Sequence, residues 1–328
     1  MKLQQQRLEQ LFQSLNKKRI AILGDIMLDK YLWGNVSRIS PEAPVPIVEV
    51  DKETCKLGGA ANVANNIKSL GGEPVLVGVV GNDSGGDEMR KILEEQQCTT
   101  TGIITDNERT TTIKTRIIAH HQHIVRIDNE HKHNISSIIE RKVLDFLEKN
   151  ISSLDGIIIE DYNKGFVVKT LIQEVINIAR KNKKIITIDP KFNNFFEYKN
   201  VTVFKPNTKE VEGALGTKLT TDESILSAGK MLLEKLNAEN ILLTRSEKGM
   251  TLFEKNGTVT HIPTQARDIA DVSGAGDTVI ATLTMFLASG AKVQEASFIA
   301  NYAGGIVCQE VGVVPIEKEK LKSVISSQ

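Results

Sequence analysis

Short, continuously apolar runs recur along the chain, and each ends on or within two residues of a polar one. Arg19-Ile-Ala-Ile-Leu-Gly-Asp25, Val75 to Val80, Ile157 to Glu160, Ile185-Ile-Thr-Ile-Asp189, Val201-Thr-Val-Phe204 and Asn240-Ile-Leu-Leu-Thr244 have this form. Runs without alternation predict strands covered on both faces, as in a parallel sheet. Helical patterns lie between them: Ser84 to Gln96, Ser136 to about Asn150, a segment ending near Lys181, and two closing helices at about 275–289 and 293–309. Leu3, Leu8, Leu11, Phe12 and Leu15 fall at helical spacing, so the N-terminus reads as an amphipathic helix and not as a signal peptide. Strands alternating with helices predict right-handed crossovers and an α/β fold: a doubly wound, mainly parallel sheet with helices on both faces. Met250 to Glu254 and Thr258 to Ile262 read as a hairpin about Asn256-Gly257, a type I′ signal.

Two segments break this rhythm. Tyr31 to Lys56 contains Pro41, Pro44 and Pro46, and Ile47-Val-Glu-Val50 alternates like an exposed strand. Proline is tolerated in edge strands and not in central ones. Thr110 to Asp128 again looks β, with a polar turn at His120-His-Gln-His123. The segments of about 31–57 and 108–130 are expected to pair as a small β-sheet lid on a single domain spanning 1–328. No internal repeat or low-complexity linker appears. Five of the six histidines lie between positions 120 and 133. No cysteine or carboxylate spacing completes a metal site there, so they are expected to be solvated hairpin residues.

Composition narrows the partners. The 328 residues are 40% hydrophobic and 25% charged, enough for a large core. A net charge of zero offers no field for nucleic acid or an anionic membrane, so any bound anion needs a local site. No apolar run reaches the ~18–20 residues of a membrane span. Cys55, Cys98 and Cys308 are far apart and odd in number, which excludes a disulfide framework and suits a reducing cytoplasm.

The chemistry gathers at Asp271-Val-Ser-Gly-Ala-Gly-Asp-Thr278, where Gly274 and Gly276 precede an apolar helical run. A glycine turn feeding a helix leaves N–H groups without intrahelical partners, and with the helix dipole they favour an anion. A carboxylate at that mouth, Asp277, repels a phosphate unless it takes a proton from an attacking hydroxyl. The pattern therefore points to phosphoryl transfer to an alcohol. The alternative is a structural turn with Asp277 as a helix-start charge. The stretch is not the dinucleotide fingerprint, since Val279 stands where a third glycine belongs, and the chain has no Gly-x-x-x-x-Gly-Lys-Ser/Thr loop. Other polar groups fall at the C-terminal ends of expected strands, where open α/β sheets bind ligands: Asp25, Asp161 with Lys164, Asp189, Asn207 with Glu210, and Thr244. Asp25 and Asp29 suit sugar hydroxyls or, alternatively, turn capping. Asn207 and Glu210, three apart at a helix start, suit a water-coated Mg²⁺ or, for Glu210 alone, the helix dipole. A second glycine pair, Gly58-Gly59, opens a helix that carries Asn62, whose amide can meet a hydroxyl; close packing is the other reading.

Gly274-Ala-Gly-Asp-Thr278, Asn207-Thr-Lys-Glu210 and Gly58-Gly59 with Asn62 resemble, in order and spacing, three signatures of the ribokinase-like (PfkB-type) carbohydrate kinases. Leu23-Gly-Asp-Ile-Met-Leu-Asp29, Ser37-Arg-Ile-Ser-Pro-Glu-Ala-Pro-Val-Pro46 and Thr244-Arg-Ser-Glu-Lys-Gly249 resemble the kinase domain of D-glycero-β-D-manno-heptose 7-phosphate kinases, which serve ADP-heptose and lipopolysaccharide-core synthesis. The resemblance implies ATP and Mg²⁺. It implies Asp277 as the base for the anomeric hydroxyl, with the amides of Gly274, Ala275 and Gly276 as the anion hole. It places ATP at Asn207, Thr208, Lys209, Glu210, Thr244, Ser246 and Gly249, and Mg²⁺ at Glu210 and Asn207 through water. Ser246 stands where many relatives carry glycine. Asp25, Asp29, Gly58, Gly59 and Asn62 are expected to hold the sugar. Its phosphate needs a cation from Arg38, Lys164, Arg116, Arg126 or Lys191, with Arg38 the first candidate. A homodimer through the lids is expected, and so is a separate adenylyltransferase acting on the product. Two other readings stay open: a kinase of a fructose or tagatose phosphate, and a non-catalytic sugar- or nucleotide-sensing protein.

Overall fold

The apolar runs become strands of one long sheet in a computed structural model, which describes residues 3–120, 122–265 and 270–327. In chain order the strands are β1 (Arg19–Gly24), β2 (Ile26–Ile39), β3 (Pro46–Gly59), β4 (Glu73–Gly81), β5 (Ile103–Asp106), β6 (Thr112–Ala119) and β7 (Gln122–Asn129). There follow β8 (Gly156–Glu160), β9 (Ile185–Asp189), β10 (Val203–Phe204), β11 (Asn240–Thr244), β12 (Met250–Glu254) and β13 (Val259–Ile262). The main sheet has the order β13-β12-β11-β10-β9-β8-β1-β4-β5. It is parallel except at one edge, where β12 runs antiparallel to both β11 and β13.

Both faces are covered, as the unbroken apolar runs require. Along β1, Ile20 and Ile22 belong to one buried cluster, with Ile280 and Leu283 of helix Ala275–Ala288 and Ile299 of helix Val293–Val307. Ala21 and Leu23 belong to the other cluster, with Val143, Leu171, Val175 and Leu232 from the helices Ser137–Asn150, Lys169–Lys181 and Asp222–Leu236. The two-residue period of a strand sends successive side chains to opposite layers. The N-terminal helix, Gln5–Ser14, is tied in by Phe12, whose ring meets Phe286 edge-on at 5.1 Å. Among the described residues, no helix is long and apolar enough to cross a membrane.

Several expectations need correction. The chain does not close on two helices: a third, Lys318–Ser326, buries Leu321 and Ile325 against the first core cluster. Strand β5 is too short and polar to show a period. Only Val203 and Phe204 of the 201–204 run make ladder pairs. The β12–β13 turn is not type I′. Gly257 N–H donates to Glu254 O at 2.9 Å, and Gly257 has a φ of 90° while Asn256 does not enter that region. A four-residue connection then lets glycine alone take the left-handed conformation.

The two segments that break the rhythm form a separate four-stranded sheet, β3-β2-β6-β7, with β2 and β6 parallel. Only Asp25 separates β1 from β2, so this sheet starts at Ile26 and not near Tyr31. Its base, Ile26 to Asp29 paired with Lys56 to Gly59, sits against the C-terminal end of the main sheet. His121 lies outside the described residues.

Candidate active site

The glycine turn has the geometry of an open anion site. Gly274 is the N-cap of helix Ala275–Ala288 and takes φ 77°, the left-handed region that glycine enters without strain. A Cβ there would meet Asn62 Nδ2 at 2.9 Å, so side-chain-free backbone is needed on two counts. Asp271 ties the turn down by accepting N–H bonds from Ser273 at 2.9 Å and Gly312 at 3.0 Å. The Ala275 N–H donates to Val272 O at 3.3 Å. Those of Gly276 and Asp277 have no acceptor among the described residues, as expected of a first helical turn. Gly276 is exposed and Asp277 beside it is buried.

Asp277 is held from two sides. Asn62 Nδ2 donates to its Oδ2 at 2.7 Å, and Tyr162 hydroxyl donates to its Oδ1 at 2.7 Å. Asn62 stands on helix Ala60–Ser69, whose Asn66 Nδ2 donates to Asn62 O at 2.9 Å. Asn66 Oδ1 also accepts from Thr278 hydroxyl and from Ile316 N–H, both at 3.0 Å, which fixes the two helix starts together. Burial pushes the Asp277 carboxyl up to about 6, with the Asp189 charge adding to it; Asn62, Tyr162 and Lys205 work the other way. A fully buried helix-cap carboxylate would bond its own helix's N–H groups. Asp277 instead points into a site made by three other elements.

Beneath the turn is a buried charged group. Glu160, Asp189 and Asp277 bring one carboxylate oxygen each within 4.8 Å of one another, and all three are buried. Lys205 Nζ, only 3% exposed, bonds Asp189 Oδ2 at 2.7 Å. A Cβ on Gly276 would stand 3.5 Å from Asp189 Oδ2 and 3.7 Å from Lys205 Nζ, so this pair lies under the glycine turn.

Asp25 does not face the site with a free carboxylate. It accepts N–H bonds from Tyr162 at 2.8 Å, Lys164 at 3.1 Å and Phe166 at 3.2 Å. It thereby holds the turn that carries Tyr162, and burial together with Asp161 raises its carboxyl to about 6. Asp29 is buried, ion-paired with Arg116, and pressed against Gly58, where a Cβ would meet Asp29 Oδ2 at 2.3 Å. Gly59 has φ 57° and no room for a Cβ beside Asp25 O. Gly58, Gly59, Asn62 and Asp277 therefore line one continuous wall that ends at Asp29. Arg38 is not brought to it. It is exposed, nine positions farther along β2, or about 30 Å at the rise of a strand. Lys164 Nζ is committed to Glu130 at 2.5 Å. Arg116 and Lys56 are brought close instead, over the Tyr31 ring at 5.3 and 5.9 Å from its centroid.

Asn207 and Glu210 form a capping box. Asn207 Oδ1 accepts from Glu210 N–H at 2.9 Å, and Glu210 Oε2 accepts from Asn207 N–H at 2.8 Å. Both residues therefore serve the helix Thr208–Leu215, and Asn207 is not a free ligand. Glu210 Oε1 faces a cation, Lys191 Nζ at 2.5 Å. That donor set fits an ion held through water at Glu210, not direct ligation by both residues. Thr208 hydroxyl donates to Thr244 O at 3.2 Å, so the strand ends of β10 and β11 adjoin. Lys209 is exposed. Ser246, at φ 51°, and Gly249, at φ 77°, shape the tight loop after β11; Ser246 takes a conformation natural to glycine.

Sequence reasoning missed Tyr162, Glu160 and Lys205 as parts of this site. A charge closing a wholly apolar strand, as in Gly156-Ile-Ile-Ile-Glu160, was the available signal for one of them.

The description "pfkB family carbohydrate kinase" fits residues 17–320. The bifunctional protein HldE of Geobacter sulfurreducens is 40% identical over 326 residues, covering 99% of this chain and 66% of that protein. The bifunctional protein HldE of Helicobacter pylori is 41% identical over 309 residues, covering 94% of this chain and 66% of that protein. The chain thus spans just under two thirds of the length of these relatives. Phosphofructokinase-2 from Escherichia coli in complex with potassium superposes with a TM-score of 0.77 at 16% identity, covering 95% of this chain and 99% of that one. Ribokinase of Arabidopsis thaliana complexed with ribose and ATP gives 0.74 at 17%, covering 94% and 99%. At such identities the likeness concerns the fold.

Proposed function

Since this chain belongs to the pfkB family of carbohydrate kinases, we propose that it moves the γ-phosphoryl group of ATP to the anomeric C1 hydroxyl of D-glycero-β-D-manno-heptose 7-phosphate, giving the 1,7-bisphosphate. The observation that carries the chemistry is Asp277: a buried carboxylate that titrates near 6, beside open helix N–H groups. The heptose reading rests on the motifs around Asp29, Arg38 and Thr244 and on the relatives' identity of about 40%.

In the reaction, the sugar hydroxyl gives its proton to Asp277 as its oxygen bonds the γ-phosphorus. The bond from that phosphorus to the bridging oxygen breaks, and ADP leaves with the electron pair. Asn62 and Tyr162 fix the carboxylate so that it meets the hydroxyl without losing orientation entropy. The N–H groups of Gly276 and Asp277 and the Lys205 ammonium beneath them meet the charge on the moving group. Mg²⁺, when bound near Glu210, supplies further charge neutralisation on the phosphates. The nucleotide lies along the strand ends from Asn207 to Gly249. The wall from Asp29 to Asn62 takes the sugar.

The substrate's own phosphate needs a cation beyond Asp29. The strand register puts Lys56, Lys114, Arg116 and Arg126 on the same sheet face as Asp29 and Asp128. Arg116, part-buried and held by Asp29, is the best placed to make a bidentate phosphate contact. This replaces Arg38. The opposite face leaves Val125 and Ile127 of β7 about half exposed, at 47% and 53%. We read it as the face through which two copies pair.

The test is turnover of ATP with a panel of sugar phosphates, with the product's phosphate position read by phosphorus NMR. Heptose 7-phosphate should give a C1 phosphate. Turnover confined to a fructose or tagatose phosphate would move the substrate assignment. Sugar binding without turnover of any acceptor would favour a sensing protein.

A further inference from the structure

Glu160 closes β8 and points into the buried group under the glycine turn. It is 1% exposed, and neither carboxylate oxygen has a hydrogen-bond partner among the described residues. The groups around it come from every neighbouring element: Asp189 at the end of β9 and Lys191 after it, Lys205 after β10, Asp277 on helix Ala275–Ala288, and the phenols of Tyr162 and Tyr198. Their partners are already assigned. Lys205 is bound to Asp189, Lys191 to Glu210, Tyr162 to Asp277, and Tyr198 to Asp161 at 2.6 Å.

Three ionised carboxylates and one ammonium in direct contact would leave two uncompensated negative charges in a dry site, which a protein avoids by taking up a proton. The proton goes where ionisation is least supported. Asp189 has an ammonium and Asp277 has two donors, whereas Glu160 has none among the described residues. We propose that Glu160 carries a proton in the working enzyme and acts as a positioning residue: a neutral acid that lets Asp277 stay an anion next to Asp189. Burial and the two neighbouring carboxylates push its own carboxyl well above the usual range, in agreement with the geometry. The arrangement matters for an incoming phosphate, which a third charge here would repel. It also keeps Asp277 a base of moderate strength: an ionised neighbour about 5 Å away would drive its proton affinity up by a unit or more.

The proposal separates into a part that rests on the kinase reading and a part that does not. Infrared difference spectroscopy of the ligand-free protein at neutral pH should show a protonated-carboxyl band that shifts in heavy water and is absent in Glu160→Gln. This arm needs no substrate, and a wild type without the band overturns the proposal. Glu160→Gln has the shape and charge of the protonated acid, so the acidic limb of its kcat/KM profile should not move. If Glu160 is instead ionised, the same variant lowers that limb by about a pH unit or more, and the proposal fails. Specific Mn²⁺ binding without nucleotide that Glu160→Gln abolishes would also overturn it, because the cluster would then be neutralised by metal. Inactivity toward every sugar phosphate with the band intact would sink the kinase reading alone.

Discussion

Replacing Asp277 by asparagine separates what this carboxylate does for chemistry from what it does to stability. A carboxyl that titrates at about 6 and not at 3.8 is disfavoured as an anion in the folded protein. At 1.36 kcal/mol per pH unit this amounts to about 3 kcal/mol at neutral pH. The sign follows from proton binding: the folded state holds this proton more tightly than the unfolded state. Stability from this group is therefore greatest below the ordinary carboxylate range and is lost as pH rises through about 6. An amide in its place does not titrate and has no such loss. Between about pH 4 and 7 the variant should gain about 3 kcal/mol relative to wild type. A pH-independent offset is superimposed, because one amide oxygen cannot serve both Asn62 and Tyr162; an unpaired buried donor costs about 1–3 kcal/mol. Asp25, which also titrates near 6, is common to both proteins and cancels in the difference. Urea unfolding at several pH values measures the trend. Turnover should fall by ~10²–10⁴ while ATP affinity holds, as for loss of a general base. Parallel stability curves would show that Asp277 is not a strained anion. Near-normal turnover would show that it is not the base.

Tyr162→Phe keeps the ring beside Lys191 but removes the donor to Asp277 Oδ1. That bond favours the ionised form, so the acidic limb of kcat/KM should rise by about one to two pH units, the worth of a hydrogen bond to a charged group; an unmoved limb refutes the assignment. Glu210→Gln should raise the Mg²⁺ concentration for half-maximal rate with the fold intact, whereas an unchanged titration would leave Glu210 as half of a capping box. Arg116→Ala should raise KM for the sugar phosphate by roughly ten- to a hundredfold, with little change for ATP or for the unphosphorylated sugar. Arg38→Ala should leave all three unchanged, and the reverse pattern in the two variants would restore Arg38.

Local patterns in the chain already determined the layered α/β plan. An unbroken apolar run such as Arg19 to Gly24 is stable only where both faces are covered, so the strands and the sandwiching helices were legible without coordinates. The glycine turn at Gly274 and the acid beside it were legible too, because they lie within a few consecutive residues. What the sequence left open depended on contacts between distant segments. Asn62 and Tyr162 reach Asp277 across 215 and 115 positions, and no spacing rule encodes such a meeting. Asp25 was expected at the sugar, with turn capping as the alternative, and only the packing of Tyr162, Lys164 and Phe166 around it shows that its carboxylate holds their turn. Arg38 and Arg116 were both cations on β-segments of similar polarity. The register of β2 with β6 sets Arg116 beside Tyr31 and leaves Arg38 at the far end of its strand. Charge placement is a property of three-dimensional distance, since Coulomb energies fall with separation in space and are indifferent to separation along the chain.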